Sequence, residues 1–90
     1  MTHSRNEILL RTNEIFSRIE WCRLRRKGAA TKDEEEGWRA EQAGLIDALL
    51  GRDRTEIRTH SHPSLLRRYE RGLQDGQALM DVLRHQRRVA

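Results

Sequence analysis

The stretch Trp21–Trp38, WCRLRRKGAATKDEEEGW, carries a cluster of four basic residues, a break of small residues and, after Lys32, four consecutive acids. A helix has partial positive charge at its N-terminus and partial negative charge at its C-terminus. Cations in a last turn and anions in a first turn therefore each stabilise it by about 0.3–1 kcal/mol. Arg23, Arg25, Arg26 and Lys27 fit the end of one helix, and Asp33, Glu34, Glu35 and Glu36 fit the start of the next. Gly28 is a natural residue at which to stop the first. Thr31 with Glu34 three residues on forms a capping box, in which hydroxyl and carboxylate each satisfy a free backbone N–H. A break this short predicts an antiparallel hairpin. Dipole complementarity accounts for the charge pattern without any partner, and the two charge clusters could also form exposed ion pairs across the tip.

Upstream, Ile8, Ile15, Ile19 and Cys22 recur at helical steps, with Leu9 and Phe16 widening the stripe, which predicts a first helix over about residues 5–27. Leu10, Trp21 and Leu24 fall on a different side and give this helix a second, smaller apolar face. Downstream, Trp38, Leu45 and Leu49, flanked by Ile46, Ala48 and Leu50, predict a second helix over about 32–50, ended by Gly51. Residues 51–62 have no helical period and read as a loop. Pro63 is tolerated in a first turn and, with Ser61 or His62 as N-cap, opens a third helix over about 63–87. There Leu65, Tyr69, Gly72, Gly76, Leu79 and Leu83 alternate steps of four and three as a coiled-coil-like seam, flanked by Leu66, Leu73 and Met80. Glycine costs a helix about 1 kcal/mol relative to alanine, so Gly72 and Gly76 on that seam imply a close helix crossing or a bend. The expected fold is all-α: an antiparallel helical hairpin plus a long third helix, a three-helix bundle spanning residues 1–90 as a single domain and dimerising through helix faces.

A chain of 90 residues buries only about 60–65% of the surface its unfolded form exposes, which is a thin core. Its 36% hydrophobic and 36% charged residues are too apolar and too periodic for disorder, yet suit charge-laced helices. The single cysteine, Cys22, excludes an internal disulfide and a cysteine-rich zinc site. No apolar run approaches the roughly 20 residues of a membrane span, and no signal-peptide core is apparent, so a cytoplasmic protein without a membrane partner is expected.

Catalytic chemistry finds little support. His60 and His62 would project to one side of an extended segment, but two ligands do not close a metal site, and no spacing brings Cys22, His3 or His85 to them. Cys22 lies on the apolar stripe with Ile15 and Ile19, a poor place for a nucleophile. The phosphate-binding and dinucleotide fingerprints are absent, and the Asp and Glu pairs read as exposed helix surface. No enzyme, cofactor, metal site or small-molecule substrate is expected.

Binding is better supported. The net charge of +4 and pI near 10.2 favour polyanions. Arg67, Arg68 and Arg71 sit in the first half of the third helix, against the dipole, and are candidates for an anionic partner: phosphate, an acidic protein surface, or the second helix of another copy. A nucleic-acid interface would use them with Arg23, Arg25, Arg26 and Lys27 on phosphates. No helix-turn-helix spacing occurs, and aromatic residues at 4% are too few for a base-stacking platform. The bias of arginine over lysine suits bidentate contacts to phosphate or carboxylate alike. Trp21 with Leu10 and Leu24 either packs under the third helix or the loop, or anchors a protein partner, a role in which tryptophan is enriched. The leading expectation is a non-enzymatic interaction protein, an adaptor, regulator or inhibitor that acts by surface occlusion in the manner of small phage and plasmid accessory proteins, an analogy of genre only. The partner-binding residues would be Leu10, Trp21, Leu24, Arg67, Arg68 and Arg71. The alternatives are a nucleic-acid-binding regulator and a structural oligomer component.

Overall fold

The computed structural model describes the backbone of residues 4–89 and the side chains of residues 14–85. Three helices, α1 (Ser4–Lys27), α2 (Lys32–Leu49) and α3 (Pro63–Val89), form a three-helix bundle, with a 3₁₀ turn at Ile57–His60 and no strand among the described residues. The helix-end signals act much as their chemistry dictates. Thr31 Oγ1 accepts the Glu34 N–H at 3.1 Å, and Glu34 Oε2 accepts the Ala30 N–H at 3.1 Å, one residue before the N-cap. Gly51 turns the chain out of α2 in the left-handed region, at φ 70°, with its N–H bonded to the Ala48 carbonyl. His62 caps α3: its Nδ1 accepts the Ser64 N–H at 3.2 Å, and Pro63 occupies the first helical position.

The α2–α3 pair is the most closely packed, because glycine lets the two backbones touch. A Cβ added at Gly72 would run into the Glu41 carbonyl oxygen, and one at Gly44 into the backbone of Tyr69 and Leu73. One at Gly76 would meet the Ala48 methyl at 2.6 Å. Ala40, Ala48, Tyr69 and Leu73 close the core around this crossing, and Ile15, Cys22 and Leu45 are buried as well. The seam on α3 is therefore a close crossing on small residues. Leu65 and Leu79, on the same seam, are only half-buried.

The sense of the pairing explains the long connection. Gly37 meets Arg68, Glu41 meets Gly72 and Ala48 meets Gly76, so α2 and α3 run the same way. Residues 50–62 must then return along α2, whose 18 residues span about 27 Å at about 1.5 Å each. In the opposite sense, α1 sets Trp21 on Trp38 and Arg18 on Glu41 and Asp75, which is the antiparallel hairpin expected of the tip.

Three expectations are corrected. Phe16 does not widen the buried stripe of α1; it is 51% exposed, because α2 and α3 cover only the side of Ile15 and Cys22. Leu50 lies beyond the end of α2 and is exposed. Within the connection, residues 57–60 form a 3₁₀ turn, stabilised by the Thr59 hydroxyl donating to the Glu56 carbonyl at 2.7 Å. The side chains of Ile8, Leu9 and Leu10 lie outside the described residues.

Candidate interaction surface

On the hairpin, Trp21 of α1 meets Trp38 of α2 edge-to-face, ring centroids 5.0 Å apart and planes at 83°. The Arg25 guanidinium lies over both rings, 5.7 Å from Trp21 and 5.3 Å from Trp38, and Arg68 covers Trp38 at 4.1 Å. Cation–π contacts of this kind are worth about 0.5–1 kcal/mol where exposed. Trp38 is thus clamped between α1 and α3, while Trp21 keeps 47% of its surface open. Leu24 is 52% exposed beside it, so the second apolar face of α1 is uncovered where Trp21 and Leu24 lie. Trp21 packs on α2 and not under α3 or the loop.

Arg68 is not free to bind a partner. Its Nε donates to the Gly37 carbonyl at 3.3 Å and sits 3.2 Å from Glu41 Oε1. Arg68 passes close over the α2 backbone here: a Cβ added at Gly37 would lie 3.6 Å from the guanidinium carbon, in ordinary van der Waals contact. Arg67 and Arg71, by contrast, are exposed and make no ion pair among the described residues. They line a groove of about 690 Å³ between the first turns of α2 and the start of α3, opposite Asp33 and Glu34 and above Trp38 and Leu65.

The basic cluster of the tip is divided among separate neighbours. Arg23 takes both carboxylate oxygens of Glu20, at 2.9 and 2.5 Å, and the hydrogen bond from Arg23 holds the Glu20 carboxyl below its ordinary range. Arg26 donates to Gln42 at 3.1 Å, Arg25 lies on the tryptophans, and Lys27 is exposed. Among the described residues none of the four pairs with Asp33–Glu36 across the tip.

Two acids are buried where exposed helix surface was expected. Glu41, 2% exposed, sits where all three helices meet. Arg18 donates to it at 3.2 Å from α1 while also pairing with Asp75 of α3 at 3.1 Å. Asp47, fully buried, receives Arg52 Nε at 2.7 Å, Arg54 Nε at 2.8 Å and the Tyr69 hydroxyl at 2.7 Å. Arg54 also gives its backbone N–H to the Tyr69 oxygen, and Arg58 stacks over the Tyr69 ring at 4.6 Å. The signal for both acids is a period of small residues: Gly37, Ala40, Gly44 and Ala48 mark the buried face of α2, and Glu41 and Asp47 lie on it.

Burial, and then the nearby Glu41 charge, push the Cys22 thiol up to about 11; its Sγ lies 3.9 Å from Glu41 Oε2. A protonated, buried thiol is a poor nucleophile. His60 and His62 are exposed in the connection, and among the described residues no three His, Cys, Asp or Glu side chains gather as metal donors. No helix among the described residues is long and apolar enough to cross a membrane. In comparison with known proteins, the chain matches no family model, no curated protein and no solved structure.

Proposed function

We propose that this chain is a non-enzymatic interaction protein, an adaptor, regulator or inhibitor, that occludes a surface of a larger protein partner with the outer face of α1. The observation that carries this reading is the state of Trp21: nearly half open, yet held from behind by Trp38 and Arg25. A large side chain already fixed in place loses little rotamer freedom on binding, which is what an anchor requires. Leu24 extends the apolar contact, and Phe16, two turns back along the same helix, is 51% exposed. Arg23, Glu20 and Lys27 surround them as a charged rim suited to steering. Leu10, placed on this face by sequence period, lies outside the described side chains.

Affinity capture with the wild-type chain, Trp21→Ala and a Leu50→Ala control, followed by calorimetry with the purified partner, tests the reading. Truncating a hot-spot tryptophan is expected to weaken binding about 30-fold or more, corresponding to about 2 kcal/mol, while Leu50→Ala leaves it unchanged. Capture indifferent to Trp21, or no specific capture by the wild type, sinks it.

A second reading, nucleic-acid binding through Arg67 and Arg71, is favoured by their exposure and by the pI near 10.2. It predicts duplex binding whose affinity falls steeply with salt and disappears in Arg67→Glu/Arg71→Glu. Negligible affinity at physiological salt removes it.

A further inference from the structure

We propose that the groove between α2 and α3 is a self-docking site, in which a second copy of this chain sets its Asp33–Glu34 ridge against Arg67 and Arg71 and receives the reciprocal contact. The two walls of the groove carry mainly opposite charge: Asp33 and Glu34 from the first turn of α2, and Arg67 and Arg71, with Glu70 beside them, from the first half of α3. Among the described residues they do not pair with each other. A surface carrying an acidic ridge beside a basic wall is its own complement under a two-fold rotation, the commonest symmetry of protein assembly. Each copy contributes both halves of the interface. Trp38 and Leu65 give the groove an apolar floor, and Arg68, tied to Gly37 and Glu41, holds its base in place. The same geometry disfavours a polyanion, because phosphates brought to Arg67 and Arg71 would also meet Asp33, Glu34 and Glu70 along the groove.

The proposal uses residues other than Trp21 and Leu24, so it stands or falls separately from the partner surface on α1. The test is a charge swap on the full, nuclease-treated chain, read by light scattering. Wild type is expected at twice the 10.6 kDa chain mass near 0.05 M salt, with its dissociation constant rising about tenfold or more by 0.5 M as screening shortens the range of the charges. Arg67→Glu/Arg71→Glu makes both walls acidic, and Asp33→Arg/Glu34→Gln makes the ridge basic while glutamine keeps the cap. Each variant alone is expected to run as a monomer with wild-type helix content by circular dichroism, and their equimolar mixture as a dimer holding one copy of each. The milder Arg67→Gln/Arg71→Gln variant, which removes charge at exposed positions without reversing it, is expected to dimerise weakly. A monomeric wild type at both salts, a dimer that survives either reversal, or folded variants that fail to pair on mixing overturns the proposal. Association lost on nuclease treatment overturns it too, and moves Arg67 and Arg71 to phosphate.

Discussion

Tyr69 donates its hydroxyl proton to Asp47 at 2.7 Å and accepts the Arg54 N–H at 2.9 Å, so one α3 side chain fastens the returning connection to α2. Both residues are fully buried. A buried carboxylate is tolerable only when hydrogen-bonded, and Arg52 and Arg54 from the connection supply the remaining donors. Tyr69→Phe leaves the Arg54 amide without its acceptor and Asp47 short of one donor, a loss expected to cost about 1–3 kcal/mol. Urea unfolding measures the total. Amide exchange should localise it, with residues 52–58 losing protection ahead of the α2 interior; uniform loss along the chain would show that Tyr69 merely fills space.

The same cluster sets an acid limit on stability. Burial pushes the Asp47 carboxyl up, but hydrogen bonds from Arg54, Tyr69 and Arg52 outweigh it and hold the group below the usual carboxylate range. The folded value being the lower one, the unfolded chain takes up the proton first, near pH 3.9. The contribution is therefore complete above about pH 4 and is lost as the pH falls through the folded value. Urea midpoints taken from pH 7 to pH 3 should fall at the acid end, and the fall should be shallower in Asp47→Asn. Glu20, also held low, titrates in both proteins and cancels from the comparison; Asp53, held low by Thr55, does so apart from the small upward push of the Asp47 charge. Parallel curves for the two proteins would take the acid sensitivity away from Asp47.

Gly72→Ala tests the crossing itself. Alanine gains about 1 kcal/mol of helix propensity, but its methyl would strike the Glu41 carbonyl, and a backbone atom cannot swing aside as a side-chain tip does. Parting the helices is expected to cost about 1–3 kcal/mol net or more, and Gly44→Ala should behave alike. Gly28→Ala, whose methyl meets only the Leu24 carbonyl at 3.7 Å, serves as the control and should leave the melting temperature unchanged or higher. A Gly72→Ala protein that melts with the wild type contradicts a touching-backbone crossing.

Most of the fold was legible in the sequence, because helix ends are written in local chemistry: the Thr31–Glu34 cap, the Pro63 start and Gly51 all act within a few residues of themselves. Gly72 and Gly76 even announced the crossing. Its partner surface on α2 was obscure, since a search for large apolar residues passes over Gly37, Ala40, Gly44 and Ala48, and so reads Glu41 and Asp47 as exposed. The connection was obscure for a different reason. Its order comes from Asp47 and Tyr69, distant in sequence, and from the parallel sense of α2 and α3, which no local pattern encodes. At the candidate surface, Trp21 and Leu24 could be placed by helical period alone. Arg68 could not be told from Arg67 and Arg71, because its inward course is set by the Gly37 carbonyl and the buried Glu41, both distant in sequence.

Cys22 offers a probe of whether α1 stays docked on the α2–α3 pair. Its thiol is fully buried beside Glu41, and that burial, reinforced by the Glu41 charge, raises it to about 11 against about 8.5 for a free cysteine. At pH 8 the folded thiol is protonated and covered, so an aromatic disulfide reagent should modify it about 100-fold more slowly than it modifies the urea-unfolded chain. The sign for stability is opposite to that of Asp47. Between about pH 8.5 and about 11 the unfolded chain has given up the thiol proton and the folded chain has not, so stability falls as the pH rises through that window. Cys22→Ala removes the group and should flatten the alkaline fall, at the expense of a small cavity. Rapid labelling of the native protein at pH 8, with urea stability intact, would mean that α1 lifts away from Glu41 without global unfolding.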